Sequence, residues 1–367
     1  MRIAIVAPLI ESVPPQRYGG TERVVSILTE ELVRRGHEIT LFASGDSRTA
    51  ATLETCAPSG LRIDPTVRDT VAYTMIELGK VYTRARDFDL IHNHADYFAF
   101  PFARLTDTPT VTTTHGRLDL PEIQLVYQSF PETRLIAISQ DQRASLGGAN
   151  WIATVPNGID LNAFHYRPEP GNYLVFLGRI SPEKRVDRAI EIAHDVGMRL
   201  VIAAKVDPAE RSYYEQAIAP LIRNDPLIDY IGEIDEHQKD VLLGGAYAYL
   251  FPISWPEPFG LTMIESMATG TPVIAYRVGS VPEIVVDGVT GFVCASMRDM
   301  IDAVERVGRI SRKACRSHVE QLFSATVMAD RYERAYESLL TGRGVVPRAP
   351  SLLMRIDQDL TANGESS

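Results

Sequence analysis

The sequence predicts an α/β protein built from two Rossmann-like, doubly wound units in tandem, facing each other across a central cleft. Three observations carry that prediction. Short apolar, β-rich runs alternate with helical patterns through the first half of the chain, the signature of a parallel sheet with helices on both faces. After residues 161–172, which hold Pro168, Pro170 and Gly171 and show no periodicity, a second alternation of the same kind begins. A length of 367 residues is also long for one core, so two domains is the natural division.

Residues 2–7 read as a buried first strand, 21–35 as a helix that Gly36 stops, and 38–43 as the next strand. Residues 45–70 carry little signal. A helix is expected over 70–86 and strands over 90–93, 110–113 and 134–138. Ser139 is placed to cap the helix behind the last of these, with Asp141 adding negative charge to its first turn. A strand at 151–155 leads through Pro156, Asn157 and Gly158 into the aperiodic linker. The second unit runs strand 173–177, helix 182–196, strand 199–204, helix 208–223, strand 228–231, helix 236–243, strand 248–251, helix 261–268 and strand 272–275. Helices cover most of 297–340, and an apolar stripe at 328, 332, 336 and 339 marks the last of them. The expected domains are 1–165 and 166–323, followed by a closing helix at 324–340 and a mobile tail at 341–367.

An apolar content of 45% supports a packed interior, and a formal net charge of -10 argues against nucleic acid or an anionic membrane surface as the main partner. Any phosphate must then be held by a few placed residues. Three scattered cysteines, Cys56, Cys294 and Cys315, form neither a CxxC pair nor an even disulfide framework, which fits a reducing, cytoplasmic setting. The apolar N-terminal run is too short for a signal sequence and is followed by Glu11 and Arg17. No stretch reaches the roughly 18 apolar residues of a membrane span.

Residues 255–270, Trp-Pro-Glu-Pro-Phe-Gly-Leu-Thr-Met-Ile-Glu-Ser-Met-Ala-Thr-Gly, organise the expected site. Glu257 sits between two prolines, which hold it extended and outside the helix that follows. Phe259, Gly260, Leu261 and Thr262 lead into that helix, whose free first-turn N–H groups and dipole form an anion site. Glu265 lies one turn in, among Met263, Ile264, Met267 and Ala268, where a carboxylate is costly to bury alone. Two vicinal hydroxyls, such as those of a ribose, would satisfy both its oxygens. Taken singly, Glu257 reads first as a loop residue and Glu265 as a solvated helix charge.

Three further strings fall at strand ends, where ligands of such sheets lie. In Gly178-Arg-Ile-Ser-Pro-Glu-Lys184, Arg179 leaves a strand and Lys184 enters the first helical turn, where a cation calls for an anion. The two could neutralise a diphosphate, the Arg as a planar fork and the Lys as a point charge. Gly19 and Gly20 open the first long helix and let the backbone approach a ligand closely. His115, in Thr114-His-Gly116, ends an apolar strand and is as readily structural as functional. Two other signals are discounted. Asp87-Phe-Asp89 spells a metal-binding D-x-D but precedes its strand, at the wrong end of the sheet. His92 and His94 share a strand face with Asp96 as the only nearby carboxylate, too few ligands for zinc, so lining of an acceptor cleft is the expectation there.

In this order the strings resemble those of retaining glycosyltransferases of family 4, which have the GT-B fold, over roughly residues 1–340. Residues 255–270 are similar to the family's E-x7-E motif. The resemblance implies that Glu265 holds the nucleotide ribose and that Glu257, with the amides of Phe259 to Thr262, lies beside the donor sugar. It further implies a pyrophosphate clamp of Arg179 and Lys184, a glycine loop at Gly19 and Gly20 closing over the donor phosphates, a sugar contact from His115, and a last helix that packs back on the first domain. Gly279-Ser-Val-Pro-Glu283 resembles the family's G-G-x-P-E turn with Ser280 in place of the second glycine. Lys205 stands where many relatives carry a glycine-rich turn, so it adds a phosphate or sugar contact or is simply surface charge. The backbone at residues 230–233 is the expected base contact.

The activity so implied moves a hexose, without metal or other cofactor, from a nucleoside-diphosphate sugar to a hydroxyl of a carbohydrate or small-molecule acceptor. UDP-glucose is the first donor to consider. A nucleotide-sugar epimerase or a phosphorylase of the same fold, and a nucleotide-sugar-binding protein without turnover, stay open as alternatives. A dinucleotide-dependent dehydrogenase is disfavoured, since no G-x-G-x-x-G follows any strand.

Overall fold

The computed structural model describes residues 1–342. Of the expected tail, residues 343–367 lie outside the described residues. The first half forms a seven-stranded parallel sheet from β1 (Arg2–Val6), β2 (Glu38–Ser44), β3 (Thr52–Ala57), β4 (Leu90–Asn93), β5 (Thr110–Thr113), β6 (Arg134–Ala137) and β7 (Trp151–Thr154). Its strand order is β3-β2-β1-β4-β5-β6-β7. The second half forms a six-stranded parallel sheet from β8 (Leu174–Arg179), β9 (Leu200–Lys205), β10 (Ile228–Tyr230), β11 (Ala248–Phe251), β12 (Val273–Tyr276) and β13 (Gly291–Cys294), in the order β10-β9-β8-β11-β12-β13. The order reverses between β1 and β4 in one sheet and between β8 and β11 in the other. Such switch points open a crevice at the strand ends.

Central strands are buried on both faces, and their near-continuous apolar runs are what the sequence displays: Ile3 to Val6 and Leu174 to Phe176 are all buried. The two strands that the sequence reading omitted, β3 and β13, are both edges. β3 is half-exposed along Thr52 to Thr55, so it shows no apolar run to read. Two helices also differ from expectation. Residues 182–196 divide into a single 3-10 turn, Pro182–Lys184, and the helix Val186–Val196, because Arg185 between them is left-handed (φ 55°). Residues 208–223 change register repeatedly and include a π-helical turn at Tyr214–Ile218.

The last helix, Ala325–Thr341, leaves the second half and lies on the first sheet. Its start is fixed by Ser324, whose side chain accepts from Val327 N, and by a bridge from Ile159 to Ser324. Gly158 packs so closely there that a Cβ would come 2.6 Å from Ser324 O. Met328, Ala329, Tyr332, Ala335 and Tyr336 join Ile3, Ile5, Val24 and Leu28 in one core. Polar pins accompany them: Tyr332 OH lies 3.2 Å from Thr113 Oγ1 and Arg35 reaches Asp330 at 2.6 Å and Thr326 O at 2.8 Å. Truncation of Tyr332, which is fully buried, removes both packing and the bond to Thr113. We expect Tyr332→Ala to lower the unfolding free energy by roughly 3–5 kcal/mol in urea titrations.

Candidate active site

The C-terminal ends of the two sheets face a common cavity of about 460 Å³, of the size that small-molecule sites have. Its walls include Gly19, Gly20, Glu22 and His115 from the first half, and Arg179, Lys184, Lys205, Lys239, Glu257, Phe259 to Thr262, and Glu265 from the second. Every site residue expected from sequence therefore lines one space. The halves approach closely across it, with Leu261 Cδ1 3.5 Å from where a Cβ on Gly20 would stand.

The helix Leu261–Ala268 begins at Gly260, which is left-handed (φ 82°) and tightly enclosed: a Cβ would fall 2.7 Å from Met263 Cε. No side chain caps this helix, so its first-turn amides are open to a ligand. Ser280 Oγ donates to Phe259 O at 2.7 Å and thereby ties the Gly279–Ser280 turn to the approach loop. Glu265 is almost fully buried, as its apolar neighbours require. The hydrogen-bonding partner that such burial calls for is supplied in part by the protein: Lys239 Nζ donates to Oε1 at 2.6 Å, while Oε2 has no partner among the described residues.

The cations are compensated in the same way. Lys184 sits on the separate 3-10 turn, not in a helical turn as expected, and its Nζ pairs with Glu257 Oε2. That carboxylate also accepts from Trp255 Nε1 at 3.1 Å, and the ammonium stands 5.0 Å from the Trp255 ring centre. Arg179 binds Glu183 at 2.8 Å and approaches Asp207 at 3.7 Å, with its Nε buried and unpartnered. Lys205 pairs with Asp207 at 2.9 Å and stands over Tyr18 at 5.5 Å. A diphosphate entering here would compete with Glu257, Glu183 and Asp207 for these groups, which makes the cleft a site of exchangeable charge pairs.

On the opposite wall, the helix Gly20–Arg34 starts at the glycine loop without a side-chain cap. Glu22 is buried in its first turn, and its Oε2 would lie 3.2 Å from a Cβ placed on Gly19. Burial pushes the Glu22 carboxyl from 4.5 up to about 7; Glu11 adds to the shift, and Arg62 and backbone N–H groups oppose it. A neutral Glu22 spares the loop an opposing negative charge. His115 is half-buried at the end of β5, and burial pushes its imidazole down to about 4, so it is neutral near pH 7. Its Nε2 bonds His94 Nδ1 at 2.8 Å.

His92 and His94 do not line the cavity. Both are buried, with ring centres 3.9 Å apart, and His92 is held by Tyr336 OH and Thr113 Oγ1, each at 2.7 Å. Asp89 is spent on Arg2 at 2.8 Å and Asp87 on Arg84 at 3.2 Å, at the far end of the sheet. Among the described residues no group of three or more His, Cys, Asp or Glu could hold a metal ion, and no helix is long and apolar enough to cross a membrane. Asn157 lines the cavity with its Oδ1 unpartnered. Glu283 spans the halves by accepting from the amides of Gln140 and Asp141 at 2.7 and 2.8 Å, an anion at the start of the helix Gln140–Ser145, where Ser139 Oγ caps Gln142 N.

Comparison with known families agrees with this architecture. The profile described as Glycosyl transferases group 1 matches residues 160–319, and that described as Glycosyltransferase Family 4 matches residues 18–163. The chain belongs to the group 1, family 4 glycosyltransferases. Among curated relatives, a phosphatidyl-myo-inositol mannosyltransferase of Mycobacterium leprae is 25% identical, covering 93% of this chain and 98% of that protein. A D-inositol 3-phosphate glycosyltransferase of Frankia alni is 28% identical over 62% of this chain and 66% of that protein. Among solved structures, a sucrose-phosphate synthase from Thermosynechococcus elongatus superposes with a TM-score of 0.77 at 20% identity, covering 93% and 100% of the two chains. Anabaena HepE in complex with UDP-glucose gives 0.71 at 18% identity, covering 92% and 100%. This glycosyltransferase thus has the GT-B fold, and its reaction class is glycosyl transfer.

Lys239 and Glu22 escaped the sequence reading of this glycosyltransferase. Lys239 belongs to no string with a recognisable spacing, Glu22 merely closes the string Tyr18-Gly-Gly-Thr-Glu22, and each acquires meaning only from what it is buried against. The Glu22 shift has a measurable consequence. Between about pH 4.5 and about pH 7 the folded protein retains a proton that the unfolded chain releases, so stability falls as pH rises through that window. The cost above it is on the order of 3 kcal/mol. Glu22→Gln should therefore leave the melting temperature nearly unchanged near pH 4.5 and raise it increasingly toward pH 8, followed by circular dichroism.

Proposed function

We propose that this glycosyltransferase moves a hexose from a nucleoside-diphosphate sugar to an acceptor hydroxyl with retention of anomeric configuration and without a metal ion. The observation that carries the reading is the grouping of Arg179, Lys184, Lys205, Glu257, Glu265 and an uncapped helix start around one cavity. In this assignment the vicinal ribose hydroxyls bind Glu265, whose Oε2 is free to accept. The diphosphate lies between Arg179, Lys184 and Lys205 on one side and the Gly19–Gly20 loop on the other. Glu257 and His115 meet the sugar. HepE was crystallised with UDP-glucose, and that donor is the first to test.

No carboxylate in a matched position stands as an obligate covalent nucleophile, so a front-face substitution is favoured. The bond from the anomeric carbon to the phosphate oxygen breaks through an oxocarbenium-like state. The acceptor oxygen then bonds the same face of that carbon, and its proton passes to the departing phosphate oxygen. Fixed cations and helix amides stabilise the charge that develops on the leaving group.

A thermal-shift screen with UDP, GDP and ADP, with and without attached sugars, identifies the donor. We expect Glu265→Ala and Arg179→Ala each to weaken donor binding by roughly 10–100-fold and to nearly abolish transfer. EDTA should have little effect, and the product should keep the donor's anomeric configuration by NMR. Full activity in either variant removes these residue roles. Strict metal dependence or an inverted product removes the mechanism.

A further inference from the structure

His94 lies just beyond β4 and is fixed from three directions: its backbone N donates to Val6 O at 2.9 Å, its ring lies against His92 at 3.9 Å between centres with a 42° tilt, and its Nδ1 meets His115 Nε2 at 2.8 Å. His92 beneath it is held at both ring nitrogens by Tyr336 OH and Thr113 Oγ1. His94 is 3% exposed and its Nε2 has no partner. Among the described residues His115 makes its side-chain hydrogen bond through Nε2 alone, which leaves Nδ1 without a partner on a ring that lines the cavity. Burial keeps both imidazoles neutral near pH 7. One proton therefore lies in the bond between them, and two arrangements exist.

If His115 Nε2–H donates, His94 must carry its own proton on Nε2, which leaves a buried N–H without an acceptor. If His94 Nδ1–H donates, the buried atom left over is a bare nitrogen lone pair. Orphaned buried N–H groups are rarer than under-satisfied acceptors in folded proteins, and the second arrangement is favoured. It has a consequence at the cleft: His115 then carries its remaining proton on Nδ1 and presents a hydrogen-bond donor. The bond that one ring nitrogen makes is what usually sets a histidine's tautomer.

We propose that His94 is a positioning residue that holds His115 as the Nδ1–H tautomer, so that His115 donates a hydrogen bond to an oxygen of the donor sugar and does not act as a base. The sugar contact rests on the functional reading above, whereas the tautomer is a property of the protein alone. It is read from two-bond proton–nitrogen correlation spectra of the full chain labelled at histidine, with His115 assigned by its loss in His115→Ala. His115 should be protonated at Nδ1. An Asn side-chain amide can stand in for Nδ1–H, so His94→Asn should keep the tautomer and stay within about threefold of the parent kcat. His94→Phe should release it and lower kcat roughly tenfold or more, with donor KM changed less than about threefold. Protonation of His115 at Nε2 in the unmodified protein overturns the proposal. So does equal loss in the Asn and Phe variants with the His115 tautomer unaltered. Absence of any transfer or donor binding would count against the functional reading, and the spectra of the parent protein would still decide this one.

Discussion

Charge buried in a cleft must be paired, and this structure is organised by that requirement. Lys184 meets Glu257, Lys239 meets Glu265, Arg179 meets Glu183, and Lys205 meets Asp207. The pairs Lys184–Glu257 and Lys239–Glu265 join segments far apart in the chain and so also tie those segments together. A paired ion is cheaper to bury than a lone one, but its partner is replaceable by another of the same sign. The cleft can thus stay folded when empty and still offer cations to an anionic ligand.

The fold supplies the places from which those groups can meet. Two parallel sheets turn their C-terminal edges toward each other, and the crevice at each strand-order reversal admits the loops after β1, β8 and β11. The helix Ala325–Thr341 crosses between the halves and buries its apolar stripe on the first sheet. Smaller ties lie nearer the cleft, among them Glu283 on the amides of Gln140 and Asp141 and Arg23 on Glu236 at 2.7 Å. These are polar and partly solvated contacts, of the kind that permits relative movement of domains more readily than an apolar interface does.

Legibility in the sequence followed burial. Central strands show as apolar runs because both faces are covered, whereas β3, at a sheet edge, interleaves Thr52, Glu54 and Thr55 with its apolar residues, and β13 is a run of only four residues, Gly291–Cys294. Helix 182–196 was legible as a helix but not as an interrupted one. The left-handed turn at Arg185 is a non-glycine conformation that no local preference announces. At the site, prolines around Glu257, glycines at 19 and 20, and the Gly178-to-Lys184 string are local signals and could be read locally.

The sequence by itself determined the class of fold, the family, and the identities of the residues that would line a cleft, because these follow from periodicity and from fixed spacings along the chain. Only the tertiary structure decided how those residues are paired. Lys239 is 26 residues from Glu265 and His94 is 21 residues from His115, and no periodicity links such positions. Charge compensation and histidine tautomers depend on distances of about 3 Å between atoms brought together by packing, a scale that the order of residues does not encode directly.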